Sequence, residues 1–259
     1  MHASDNPLIN PNRFTDSAGV PWAGREFDQN PFSNDDGSTP AALAAALDEF
    51  ASSQNQAIVI QALAESRLLV PLMANLGESE TGAHGHTVDK SAELALITVQ
   101  GPDQAPILPV FSSVDHMRAW NPEARPVPID ARRIALAAAA DGTNRMVLNP
   151  KSNQTFVVRR PAIAAIAQGF IWVQPHLDEA LIEALGAVKP MFSVIKDIRF
   201  ISGDPLAQLA GPELLIQLQL EPGLTRDEVS VITQALSIKW SEIDALNEKI
   251  DSVQIQVVS

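Results

Sequence analysis

The sequence predicts an α+β protein: an N-terminal mixed α/β sheet domain followed by a ferredoxin-like β-α-β-β-α-β domain. Three observations predict it. Helix-like and strand-like segments are interspersed through residues 39–169. From residue 170 onward the segment order is β-α-β-β-α-β. An apolar content of 46% over 259 residues supplies a core for two modest domains and argues against global disorder. The expected divisions are an irregular arm at 1–38, a first domain at 39–169 and a second at 170–259.

The arm is read from NPLINPNRF, GVPWAGREF and NPFSNDDGS, where Asn, Asp, Pro and Gly favour irregular backbone. Its aromatics, Trp22 and Phe32 among them, are candidate anchors against a folded surface or a second subunit. Order begins at STPAALAAALDEF, with Thr39 as expected N-cap and Pro40 at the first helical position. Leu43, Leu47 and Phe50 then share one helical face. A second helix over Gln56–Ser66 leads into the strand RLLVPLMA, where Pro71 marks a strand end, bulge or edge. GESETGAHGHTVDK reads as a connector. SAELALITVQ and ILPVFSS form a hairpin about GPDQAP. A short helix over Val114–Trp120, a strand at PVPI and a helix over Ile129–Ala140 follow. MVLNP and QTFVVRR pair as strands, and a helix from Pro161 ends at Gly169.

In the second domain FIWVQP is a strand candidate and LDEALIEALG a helix. Met191–Ser202 reads as a long strand, and LLIQLQL alternates as a half-buried strand does. One long helix is expected over LTRDEVSVITQALSIKWSEIDALNEKI, opened by a Thr225–Glu228 capping box. Val229, Ile232, Leu236, Trp240 and Ile243 recur on it at helical spacing. SVQIQVV alternates as a last strand.

Charge and composition exclude several functions. A net charge of −13 with only 18 Lys and Arg disfavours nucleic acid and acidic membrane surfaces as partners. The absence of cysteine removes disulfides, thiolate catalysis and thiolate metal sites. The absence of tyrosine removes any tyrosine acid or base. MHASDNPLINPNRF has neither the basic leader nor the apolar run of a signal peptide, and no later segment has the length of a membrane span. A cytoplasmic location is the expectation.

The densest chemistry lies in FSSVDHMRAW, with Ser112, Ser113, Asp115 and His116 close together. A serine nucleophile needs an aligned base and a third group that orients it. The same residues make an ordinary helix entrance, with serine as cap and aspartate in the first turn. No GxSxG, SxxK or glycine-rich oxyanion sequence accompanies them, so no catalytic residue is assigned. His84 and His86 on the connector, to which Glu78, Glu80 or Asp89 could add oxygen ligands, have no rigid partner, so no metal and no cofactor is called for. Arg159 and Arg160 are candidates for an anionic ligand. Asn149, in the turn LNP, bonds local backbone or serves a ligand beside them.

Three pieces in order, ESRLLVPL (65–72), LPVFSSVDHMRAW (108–120) and MVLNPKSN (146–153), resemble the SseB family, named for enhanced serine sensitivity. The resemblance covers its N-terminal domain over about residues 40–170; the later part is similar to its C-terminal domain in element order. It implies a soluble bacterial protein and supplies no catalytic residues. Pro109, Phe111, Trp120, Asn149 and Pro150 stand as framework and surface-shaping positions, and a ligand groove is expected near LPVF and LNP. The leading expectation is a non-enzymatic interaction or regulatory module, with Phe111, Trp120, Trp22 and Phe32 as contacts. Its partner is another protein or a second copy in a homodimer. A small-molecule sensor or enzyme binding an anionic metabolite at Arg159 and Arg160 is the alternative.

Overall fold

A computed structural model describes residues 31–72 and 97–258. The chain forms two units, Met1–Asp36 and Gly37–Ser259, and the elements below belong to the second. They comprise helices and mixed sheets, an α+β protein.

The amphipathic helices α1 (Ala41–Ser53) and α2 (Gln56–Ala64) precede β1 (Arg67–Leu72). A hairpin of β2 (Val99–Gln100) and β3 (Pro106–Val110) pairs Val99 with Ile107. Then come α3 (Val114–Trp120), β4 (Arg125–Asp130) and α4 (Ala131–Ala140), which together make the crossover that a parallel pair requires. That crossover delivers β5 (Met146–Leu148) parallel to β3, and β6 (Phe156–Val158) returns antiparallel to β5. The sheet order is β2-β3-β5-β6. A separate ribbon of β1 and β4 is stitched to it where Leu69 and Phe111 exchange backbone hydrogen bonds of 2.8 and 2.9 Å. Finally α5 (Arg160–Gln168) ends at Gly169, whose φ of 73° closes the helix as glycine allows.

Strand alternation sorts the core. Leu108, Val110, Met146, Leu148, Phe156 and Val158 face α1, α2, α4 and α5. Ile107, Val147 and Val157 point to the other side and form a smaller apolar cluster with Val99 and Leu209. Asn55, Ser113 and Asp130 each accept backbone N–H groups at the starts of α2, α3 and α4. Thr39 is not the cap of α1: that position falls to Pro40, which has no side-chain acceptor. The Thr39 hydroxyl instead shares a 2.9 Å hydrogen bond with the Ser112 hydroxyl.

The C-terminal part contains α6 (Glu179–Gly186), β7 (Ile195–Ser202), β8 (Leu214–Leu220), α7 (Arg226–Ser241), α8 (Asp244–Lys249) and β9 (Val253–Val258). Its sheet has the order β7-β8-β9, with β7 antiparallel and β9 parallel to β8. Leu181, Leu185, Leu214, Ile216, Leu218, Leu236 and Trp240 fill its core, and the Trp240 indole N–H donates to Leu185 O at 2.9 Å.

This departs from the ferredoxin-like expectation. FIWV is not a strand; Phe170 and Ile171 are 69% and 86% exposed in an irregular segment. In the ferredoxin-like order the first strand lies between the third and the last, but here β9 pairs directly with β8 and takes that place. The expected long helix is two, because Ile243 adopts an extended conformation (φ −92°, ψ 107°) after α7. The break folds Ala245, Leu246 and Ile250 back onto the core that Trp240 already occupies. The capping box is formed, with Thr225 N–H donating to Glu228 at 2.7 Å and Glu228 N–H to the Thr225 hydroxyl.

Candidate functional site

The outward face of the first sheet is the floor of an open cleft of about 550 Å³. Val99, Ile107, Val147 and Val157 provide an apolar floor, while Gln100, Asn121, Lys151, Thr155 and Gln208 supply polar groups around it. Trp120 stands on the rim, its ring 5.3 Å from that of Phe111. Phe111 itself is 0% exposed and supports Trp120 from inside. Phe32 is half-buried in the first unit, its carbonyl accepting from Asp35 N–H; Trp22, His84 and His86 lie outside the described residues.

One wall of the cleft is the turn after β5, which Asn149 holds from beneath. Asn149 is fully buried with φ of 48°, in the left-handed region. Its Oδ1 accepts from Ser112 N–H at 2.9 Å and its Nδ2 donates to the Ser112 hydroxyl at 3.0 Å. Its carbonyl accepts from the hydroxyls of Ser152 and Thr155, both at 2.9 Å. Asn149 therefore ties the α3 entrance to the loop that presents Lys151 and Thr155. Asn149→Ala removes the buried acceptor of Ser112 N–H and the amide bond to the Ser112 hydroxyl, and leaves at positive φ a residue with no compensating side-chain bond. We expect a loss of about 2–4 kcal/mol of stability, measured by urea unfolding.

The opposite wall comes from the C-terminal part. In the loop between β7 and β8, Asp204 accepts the backbone N–H groups of Gln208, Leu209 and Ala210 at 3.1, 2.8 and 3.3 Å. The loop neck is narrow: a Cβ at Gly211 would collide with the carbonyl of Gly203. Val157 N–H donates to Ala207 O at 2.7 Å, so the loop covers the free side of β6. Leu209 and Lys151, one on each wall, have φ of 57° and 66°. Left-handed non-glycine backbone of this kind gathers at functional loops.

Arg159 secures this wall. Its guanidinium donates to Asp204 at 2.7 Å, Gly211 O at 2.7 Å, Ser252 at 3.1 Å and Asp251 at 3.2 Å. The Arg159, Asp204 and Asp251 side chains are only 5%, 2% and 6% exposed. Arg160 donates to Asn247 O at 2.6 Å and Ile250 O at 2.5 Å. Both guanidinium groups thus bond within the protein, clamping α5 to the loops that flank β8 and β9.

Beside this clamp, burial pushes the Glu213 carboxyl up to about 7, against the opposing Asp251 N–H and the positive charge of Arg159. A folded value above the ordinary 4.5 contributes stability at low pH that is lost as pH rises through 7. Parent and Glu213→Gln proteins should therefore have similar urea midpoints at acid pH, and the variant should gain relative to the parent toward pH 8.

The serine–histidine cluster is a helix entrance. Ser113 caps α3 by accepting His116 N–H at 3.2 Å, and its hydroxyl lies 2.8 Å from His116 Nδ1. Ser112 is 0% exposed and its hydroxyl is shared among Thr39, Asn149 and His116. Burial lowers the His116 pKa, favouring neutral imidazole. Among the described residues no carboxylate hydrogen-bonds this imidazole, and both serines are buried. No group of three His, Asp or Glu side chains there is arranged to hold a metal. No helix there is long and apolar enough to cross a membrane.

The floor residues escape sequence reading because MVL and FVV are buried at every position, so periodicity cannot separate the two faces. Gln208 and Leu209 reach the cleft from a distant loop and carry no local signal. Residues 43–165, just under half of the chain, match the family described as SseB protein N-terminal domain. No curated protein and no solved structure matches the chain. Through the span that contains the cleft floor, Asn149 and Arg159, the chain resembles the SseB family.

Proposed function

We propose that the chain is a non-enzymatic cytoplasmic interaction module that takes an apolar segment of a partner protein into the cleft. The carrying observation is an apolar floor ringed by separate polar groups in about 550 Å³, the size and lining of recognition pockets. Trp120, braced by Phe111, is the anchor, since rigid aromatics at pocket rims dominate binding energy. Residues 39–169 act as the receiving domain, and residues 170–259 supply one wall. Asn149 and Arg159 are positioning residues for the two walls. The engagement of Arg159 and Arg160 by carboxylates and carbonyls weighs against an anionic metabolite there.

The test is selection from a displayed library of linear peptides, followed by calorimetry of the selected peptide against parent and Gln100→Trp proteins. Gln100 is exposed, so the bulky replacement fills the cleft without disturbing the core. Apolar peptides that bind the parent and lose affinity to the variant support the reading; binding indifferent to the variant contradicts it. Sedimentation over a concentration series distinguishes a second copy as occupant.

A further inference from the structure

Among the described residues, two buried side-chain polar atoms lack a hydrogen-bond partner: the Trp172 indole Nε1 and Glu213 Oε1. Leaving a donor or acceptor unpaired in the interior costs about 1–3 kcal/mol, so each calls for an explanation. Both residues line the same small cavity, of about 10 Å³, which also meets Arg159, Asp204, His176 and Ser202. That volume holds one water molecule.

We propose that this cavity is a binding site for a single internal water, which accepts from Trp172 Nε1 and donates to Glu213 Oε1. The lining chooses among occupants of that size. A cation faces the indole N–H and the Arg159 guanidinium, both donors. An anion faces the carboxyl groups of Asp204 and Glu213. Water offers both an acceptor and donors, and satisfies the two orphan atoms at once. The consequence is a hydrated joint: Trp172 belongs to the irregular segment after α5, whereas Glu213 leads into β8. Apart from the water, Glu213 is held by Asp251 N–H, which donates to Oε2 at 2.6 Å.

The joint responds to pH through Glu213, whose carboxyl titrates near 7 in the field of Arg159, Arg160 and Asp251, with Asp204 and His176 on the same cavity. Burial lowers the His176 pKa, favouring the neutral imidazole. Below pH 7 Glu213 can donate to the water; above it the carboxylate only accepts.

The test uses the full-length protein. A crystal structure that resolves ordered solvent should place one water about 2.7–3.2 Å from both Trp172 Nε1 and Glu213 Oε1. In solution, the Trp172 indole proton, assigned with Trp172→Phe, should show magnetisation transfer from a long-lived water. Its chemical shift should titrate with a midpoint near 7 in the parent and lose that step in Glu213→Gln. A dry cavity, or an indole N–H bonded to a protein acceptor, overturns the proposal. An indole signal without water transfer also overturns it. The crystal structure of the parent decides the matter even if a variant fails to fold.

Discussion

Arg159→Ala is expected to unfold with about 3–5 kcal/mol less free energy than the parent, the loss typical of breaking a buried ion pair from one side. The magnitude follows from what remains: Asp204 and Asp251, almost wholly buried, would lose the guanidinium that bridges them. Arg145 contacts Asp251 at 3.2 Å but does not reach Asp204. Removing the stranded carboxyl group as well, in Arg159→Ala with Asp204→Asn, should recover part of the loss. Urea unfolding followed by tryptophan fluorescence measures both proteins. A loss below about 1 kcal/mol would place the pair in the range of solvated surface bridges instead. Because Asp204 also gathers the N–H groups of Gln208 and Leu209, the single variant should weaken peptide binding at the cleft too.

Trp120→Ala is expected to reduce affinity for a cleft-binding peptide by about thirtyfold, or ~2 kcal/mol, the threshold of an aromatic hot spot. The residue is half-buried, packs against Phe111 and lines the cleft, so truncation removes apolar area available to a bound peptide. Calorimetry gives the affinity, and circular dichroism verifies that the variant remains folded. A change under threefold would remove Trp120 from the recognition surface. Trp120→Phe, which retains an aromatic ring on the rim, should lose less than the alanine variant.

Local rules carried much of the architecture. Leu43, Leu47 and Phe50 define the buried face of α1, and LLIQLQL places Leu214, Ile216 and Leu218 inward because strand period and burial coincide. Thr225 and Glu228 act within one helical turn, so their capping box is visible in four consecutive residues. The failures are non-local. FIWV has strand composition, but strand formation needs an available partner, and β9 holds the position beside β8. The break after α7 follows from a core that must accept both Trp240 and Leu246, which helical spacing alone does not encode. Thr39 has the right chemistry for a cap but bonds Ser112, 73 residues away.

The site was legible only through its supports. LNP announced a turn with Asn149 at its centre, and Asn149 does accept from Ser152 and Thr155 nearby. Its bonds to Ser112 span 37 residues and required the parallel pairing of β3 and β5. The arginine doublet announced charge but not direction. Arg159 meets carboxylates 45 and 92 residues later, so the sequence could not distinguish a ligand clamp from an internal one.

The most direct measurement of the interaction reading is a methyl-resolved NMR titration of the intact protein with a selected apolar peptide. The account predicts saturable shifts confined to Val99, Ile107, Val147 and Val157, accompanied by the Trp120 indole. Saturable shifts at Ile171 and Val173, or along β9, with the cleft methyls unmoved would contradict it.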